Sequence, residues 1–213
     1  MQDCNHLGRE VEPLNRTFII TIAAILFWGI SLLYPSHSTA ITPTGQLQGT
    51  WEQIVVILKS ARFDSKAEID AFGANVMRVV SPRFDFAEMA KRCLGPHWEN
   101  RTPEERQEFV TLFATTLARS YIDGIRSYEN STVLFTREWN NANSAEVDTK
   151  IVTNGAKDLV VSYKMHLIDD DWKVYDVIID DISLVDNYRS QFHRVIMRSS
   201  FEDLLRILKE KGS

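Results

Sequence analysis

The stretch Trp172–Ile179 reads Trp-Lys-Val-Tyr-Asp-Val-Ile-Ile and carries apolar residues on both sides of a strand. Strict alternation sets Trp172, Val174 and Ile178 on one face and Tyr175, Val177 and Ile179 on the other. A strand with one wet face is polar on that face, so a strand apolar on both must be covered from both sides. That requires layers. Asp180 and Asp181 end the run, and Ser183 with Asp186 three residues on has the pattern of a helix capping box. Val185, Tyr188, Phe192, Val195 and Ile196 then share one helical stripe, with Asn187, Arg189, Arg194 and Arg198 turned away. The strand passes directly into a helix.

Upstream, helices come first. Leu47, Trp51, Ile54, Val55 and Leu58 recur at helical spacing, as do Ile69, Phe72, Val76 and Val80 up to Ser81-Pro82. Phe86, Met89, Ala90 and Cys93 form a third stripe, closed by Gly95-Pro96. Thr102-Pro103-Glu104-Glu105 starts a long fourth helix carrying Phe109, Leu112, Phe113, Thr116, Leu117 and Tyr121. Strands follow. Val133, Phe135 and Trp139 fall on one side of the first, and Ala145, Val147, Thr149 and Ile151 on one side of the second. After Asn154-Gly155, Leu159, Val161, Tyr163, Met165 and Leu167 make the apolar side of the third, and Asp169–Asp171 leads into the fourth. This order predicts an α+β fold, with a curved four-stranded antiparallel sheet wrapped by helices around an apolar space. Periodicity leaves open whether side chains or a ligand fill it.

The first forty residues differ from the rest. Phe18–Leu33 is a 16-residue run without charge, preceded by Arg16, and Ser38 and Ala40 supply the small residues of a cleavage site. We read 1–40 as an export signal and 41–213 as one domain beginning at Ile41. Cys4 precedes the apolar run and therefore cannot be a lipoprotein cysteine. Cleavage leaves Cys93 as the one cysteine, without a disulfide partner, read as a small buried residue.

Motifs for chemistry are sparse. The net charge of −5, with no basic stripe, argues against a nucleic-acid partner. Phosphate-cradling glycine loops, serine-hydrolase elbows and paired cysteines for zinc are absent from the sequence. His6 and His37 fall in the export segment. His97, His166 and His193 lack metal-ligand spacing, and Asp169–Asp171 lacks the alternating ligands of a calcium loop. Asp176, between apolar neighbours, is either a hydrogen-bonded carboxylate or, with Tyr163, the acid–base pair of a small pocket enzyme. Arg189-Ser190 is a candidate contact patch of a membrane-anchored adaptor.

Several segments resemble the MlaC family of periplasmic phospholipid-binding proteins, also called the toluene-tolerance auxiliary family. They are Trp172–Val177, Ile182–Val185, Asn187–Phe192, Arg83–Phe86, Met89-Ala90, Leu94-Gly95, His97-Trp98 and Thr102–Glu104. The resemblance spans nearly all of 46–208 and includes the hopanoid-associated HpnM branch. It implies an NTF2-like cone whose pocket takes lipid acyl chains as cargo, without a cofactor or catalysis. It implies a carrier between an inner-membrane ABC transporter with an MCE-domain subunit and the outer-membrane lipoprotein MlaA. The residues expected to touch lipid are Phe113, Leu117, Tyr121, Phe135, Val161, Tyr163, Met165, Val177, Ile179, Ile182, Val185 and Tyr188. Ile182 is expected at the cavity mouth and Tyr188 facing inward. Arg189 is expected outside the pocket, pairing with Asp186 or Asp181 or meeting phosphate at the rim.

Overall fold

A computed structural model describes residues 42–126, 128, 131–153 and 157–212. The segment read as an export signal, with Ser38, Ala40 and Ile41, and the Asn154-Gly155 turn lie outside the described residues.

Each helix starts where a side chain satisfies its free amides. α1 (Pro43–Ser60) opens on Thr42, whose hydroxyl accepts from Gly45 N, and α2 (Lys66–Val80) on a reciprocal box between Ser65 and Glu68. Asp85 caps α3 (Phe86–Leu94), which ends at Gly95 with a φ of 54° and continues as one 3-10 turn, Gly95–His97. α4 (Pro103–Arg126) has the predicted capping box: Thr102 N donates to Glu105 Oε2 at 2.8 Å, and Glu105 N donates to Thr102 Oγ1 at 3.2 Å. Among the described residues no helix is long and apolar enough to cross a membrane.

The sheet is an antiparallel meander of β1 (Thr132–Asn140), β2 (Ser144–Val152), β3 (Leu159–Ile168), β4 (Asp171–Ile179) and β5 (Ile182–Ser183), in that order. The α+β class stands, with five strands instead of four. The extra strand exists because Asp180-Asp181 is a two-residue turn that folds Ile182 back beside Ile179. Asp169-Asp170 makes the same turn between β3 and β4. All four aspartates have φ between 44° and 66°, as a type I′ hairpin turn demands. Asn and Gly adopt that region more easily. Replacing Asp169-Asp170 by Asn-Gly is therefore expected to stabilise the fold by about 1 kcal/mol, a rise of about 2–4 °C in Tm, readable by thermal melting.

Two bulges overturn the strict alternation. Between Lys164↔Asp176 and Met165↔Val174, Tyr175 is left without a partner. Past it the faces exchange, so Trp172 and Val174 share the inner face with Val177 and Ile179, while Asp176 and Ile178 lie outside. A second bulge lies between Phe135 and Arg137. It turns Trp139 outward, 54% exposed, away from Val133 and Phe135.

After β5 come two helices, α5 (Leu184–Arg198) and α6 (Phe201–Gly212). Ser183 caps α5 by accepting from Asp186 N at 3.0 Å, and Ser200 caps α6 by accepting from Asp203 N at 3.1 Å. Three apolar clusters result. One joins α3, the first half of α4, α5 and α6; a second lies on the inner face of the sheet; a third holds α1 against α2.

Arg83 ties these layers together. Its guanidinium donates to Asp171, to Gln46 Oε1 and to the Trp172 carbonyl, and Gln46 Oε1 also accepts from Trp172 N. Backbone bonds from Asp85 N to Val174 O and from Val174 N to Arg83 O, both 2.8 Å, fix the same crossing. Burial works to raise the Asp171 carboxyl, but hydrogen bonds from Lys173 and Arg83 outweigh it and hold the group below its ordinary value. A carboxyl held low in the folded state contributes stability above its unfolded value, about pH 4. That contribution disappears as pH falls through the folded value. Arg83→Gln is accordingly expected to flatten the acid limb of the stability–pH curve measured by urea unfolding.

Candidate functional site: an apolar cavity

The inner face of the sheet and the second half of α4 do not close on each other. Between them lies a cavity of about 440 Å³, within the usual range of small-molecule sites. One wall is the sheet, through Phe135, Thr149, Ile151, Val161, Tyr163, Val177 and Ile179. The other wall is α4, where Leu117, Ala118, Tyr121, Ile122 and Ile125 come round every third or fourth residue. α1 and α2 add Trp51, Ile54, Val76 and Val80 at one side, and Phe84 and Phe86 also face the space.

Few polar groups lie on this wall. Thr149 Oγ1 donates to Val161 O at 3.0 Å and Thr50 Oγ1 to Gln46 O at 2.9 Å. The Tyr163 hydroxyl lies by Thr149 and the Tyr121 hydroxyl by Tyr188. Burial pushes both Tyr163 and Tyr121 up, so each stays a neutral phenol at physiological pH. What faces the space is hydrocarbon and aromatic ring. The surface can hold an apolar ligand.

Of the residues singled out from the sequence, Leu117, Tyr121, Phe135, Val161, Tyr163, Val177 and Ile179 line this cavity. Five do not. Phe113 stacks with Phe109, 6.0 Å between ring centroids, in the cluster under α6. Met165 is fully buried among side chains of the sheet. Val185 belongs to the α3–α5 contact, where its carbonyl accepts from Cys93 Sγ at 3.6 Å. Tyr188 does point inward, but it stops against Phe113 at 5.5 Å and reaches the cavity only through Tyr121. Ile182, the first residue of β5, is 60% exposed and absent from the lining. Of the other lining residues, Leu47, Trp51, Ile54, Val76, Val80, Phe84 and Phe86 sit on apolar helical stripes or in the Arg83–Phe86 motif, whereas Ala118 and Ile122 lie off the α4 stripe read from the sequence.

Asp176 and Tyr163 lie on opposite faces of the sheet, so they cannot act as a pair. Asp176, 5% exposed, accepts from Ser183 Oγ at 2.8 Å and Val185 N at 3.1 Å and thereby anchors the start of α5. Arg189 forms no ion pair with Asp186 or Asp181; its guanidinium lies beside Gly95. Burial raises the Cys93 thiol strongly, which leaves it protonated and unreactive. His97 and His193, distant in sequence, meet at 3.0 Å between Nε2 and Nδ1. Among the described residues no cluster of three potential metal ligands forms.

The MlaC protein family model matches residues 48–210, most of the chain. The chain belongs to the MlaC family. A curated MlaC-like relative, the toluene tolerance protein ttg2D of Pseudomonas putida, is 26% identical over 191 residues, covering 89% of this chain and 85% of that protein. The fold is shared with a phospholipid-binding protein from Ralstonia solanacearum solved in complex with a phospholipid. That match has 23% identity and a TM-score of 0.69, over 78% of this chain and 94% of the other. The segments that resemble MlaC proteins acquire physical roles here. In Arg83–Phe86, Arg83 is the clamp, Phe84 and Phe86 line the cavity, and Asp85 caps α3 while meeting His166 Nε2 at 3.1 Å. In His97-Trp98, the Trp98 ring lies 5.1 Å under the Arg106 guanidinium.

Proposed function

We propose that this MlaC-family chain is a periplasmic lipid carrier that lodges phospholipid acyl chains in the cavity between the sheet and α4. Lipid is cargo, and no cofactor or catalytic step is involved. The chain exchanges lipid with an inner-membrane ABC transporter carrying an MCE-domain subunit and with the outer-membrane lipoprotein MlaA. Residues 1–40 direct export, and the carrier is the domain that begins at Ile41.

One observation carries this reading: the cavity wall is almost entirely hydrocarbon and aromatic ring, and its threonine hydroxyls donate to backbone carbonyls. Each methylene buried there contributes about 0.8 kcal/mol, so two acyl chains of ordinary length total on the order of 20 kcal/mol. Lipid leaves a membrane for water only if a surface of comparable apolar area receives it.

The purified protein, extracted with organic solvent and analysed by mass spectrometry, is expected to release phospholipid at a molar ratio near one. Protein that releases none, and acquires none from vesicles, is not a carrier. Ile182→Glu is expected to leave the lipid content unchanged, because that side chain lies outside the lining.

A further inference from the structure

On the outer face of the sheet, opposite the cavity, α3, α5 and strands β3 and β4 enclose a polar cleft of about 260 Å³. Arg92, Lys164, Tyr175 and Arg189 line it, together with Asp176 and Asp186. Two of these five charges are engaged, and the Asp186 carboxylate has no ion pair among the described residues. Arg92 pairs with Glu88 at 2.8 Å and lies over the Tyr175 ring at 4.3 Å. Asp176 accepts from Ser183 and Val185, behind the surface. Lys164 is the register partner of Asp176 on β3, yet neither the Lys164 nor the Arg189 side chain has an ion pair or hydrogen bond among the described residues. Two cations from different elements therefore face one concave space, on a protein whose net charge is −5.

Arg189 is also held in position. Gly95 has a φ of 54°, and a Cβ there would come within 3.2 Å of Arg189 Nε. Glycine thus permits the backbone turn that ends α3 and leaves room for the guanidinium to lie flat against it. A cation at a helix C-terminus is favoured by the exposed carbonyls.

We propose that this cleft binds an oxyanion of the phosphate class, with Arg189 and Lys164 as its ligands and Arg92 at the margin. A guanidinium fork meets two oxygens of a tetrahedral anion at once, and an ammonium supplies a point charge to a third. Free phosphate and the phosphate of a lipid headgroup at a membrane surface present the same chemistry. The site is independent of the acyl-chain cavity, and it stands whether or not that cavity carries lipid.

The test is calorimetric titration of the purified protein with inorganic phosphate at low ionic strength. The comparison uses Arg189→Gln, Lys164→Gln, the double variant, and Arg194→Gln on the same helix as a control. Saturable binding is expected in the wild type and the control, weakened about tenfold by each single substitution and abolished in the double variant. Melting curves confirm that each variant is folded, and Lys164→Gln, on the strand surface, keeps the test decisive if Arg189→Gln unfolds. A second arm uses phosphatidylcholine vesicles with and without phosphatidic acid. Acid-dependent association that needs Lys164 and Arg189 assigns the site to a headgroup, and phosphate binding without it assigns a free anion. Absence of phosphate binding, or equal binding by the double variant, overturns the proposal. So does binding of an acidic peptide alone, which gives the cleft to a protein partner.

Discussion

Ala118→Trp is expected to reduce the lipid that co-purifies with the protein at least tenfold while leaving its melting temperature unchanged or raised. Ala118 is one of the small residues on the α4 wall, and its methyl faces the cavity of about 440 Å³. An indole there occupies space that lipid must otherwise fill, and a tryptophan can bury about 150–250 Å² of its own surface. Filling a void restores dispersion contacts that the lining lacks when empty. The protein therefore gains what the ligand loses. Ala118→Ser adds a hydroxyl without bulk and is expected to keep most of its lipid. If Ala118→Trp carried a normal lipid load, the cavity between α4 and the sheet would not be the lipid site. If it lost lipid only because it unfolded, the melting curve would show it.

Much of the fold was legible because helices announce their ends. Thr102-Pro103-Glu105 and Ser183-Asp186 were readable as caps, and both are caps. Ser200-x-x-Asp203 carries the same signal and caps α6. The strands were readable as strands and misread as faces. Alternation is a counting argument, and each bulge subtracts one residue from the count. Tyr175 therefore carried Val177 and Ile179 over to the side of Trp172 and Val174. No residue type at 175 marks a bulge, since an aromatic in a strand is ordinary.

The site was half legible for a different reason. Phe113 and Leu117 stand one turn apart on one stripe, and periodicity identifies a buried stripe without saying what buries it. Here α5 and α6 cover Phe113, whereas an open space faces Leu117. Arg83 is the opposite case. It stood out through resemblance alone, because nothing local predicts that an arginine after Ser-Pro will reach Gln46 and Asp171 on two other elements.

That division of α4 is open to direct test through Phe109. Phe109→Ala is expected to cost about 3–5 kcal/mol, the usual range for deleting a buried aromatic ring. It is completely buried, with ring centroids of Phe113, Phe192 and Phe201 at 6.0, 5.6 and 6.1 Å. Neither α5 nor α6 can collapse into the gap without abandoning its own contacts to α3 and α4, so the hole persists. For a domain of this size the loss corresponds to a fall in Tm of roughly 6–20 °C. Yet Phe109 lies two turns from the first α4 residue on the cavity wall, and the lining there is unchanged. Below its melting point, Phe109→Ala is expected to retain a normal lipid load. The two α4 variants should thus fail in opposite ways: Ala118→Trp stays folded and loses lipid, and Phe109→Ala keeps lipid and loses stability. Lipid loss in Phe109→Ala with little change in Tm would mean that the two halves of α4 share one site, and that the aromatic cluster beneath α6 is part of the binding surface.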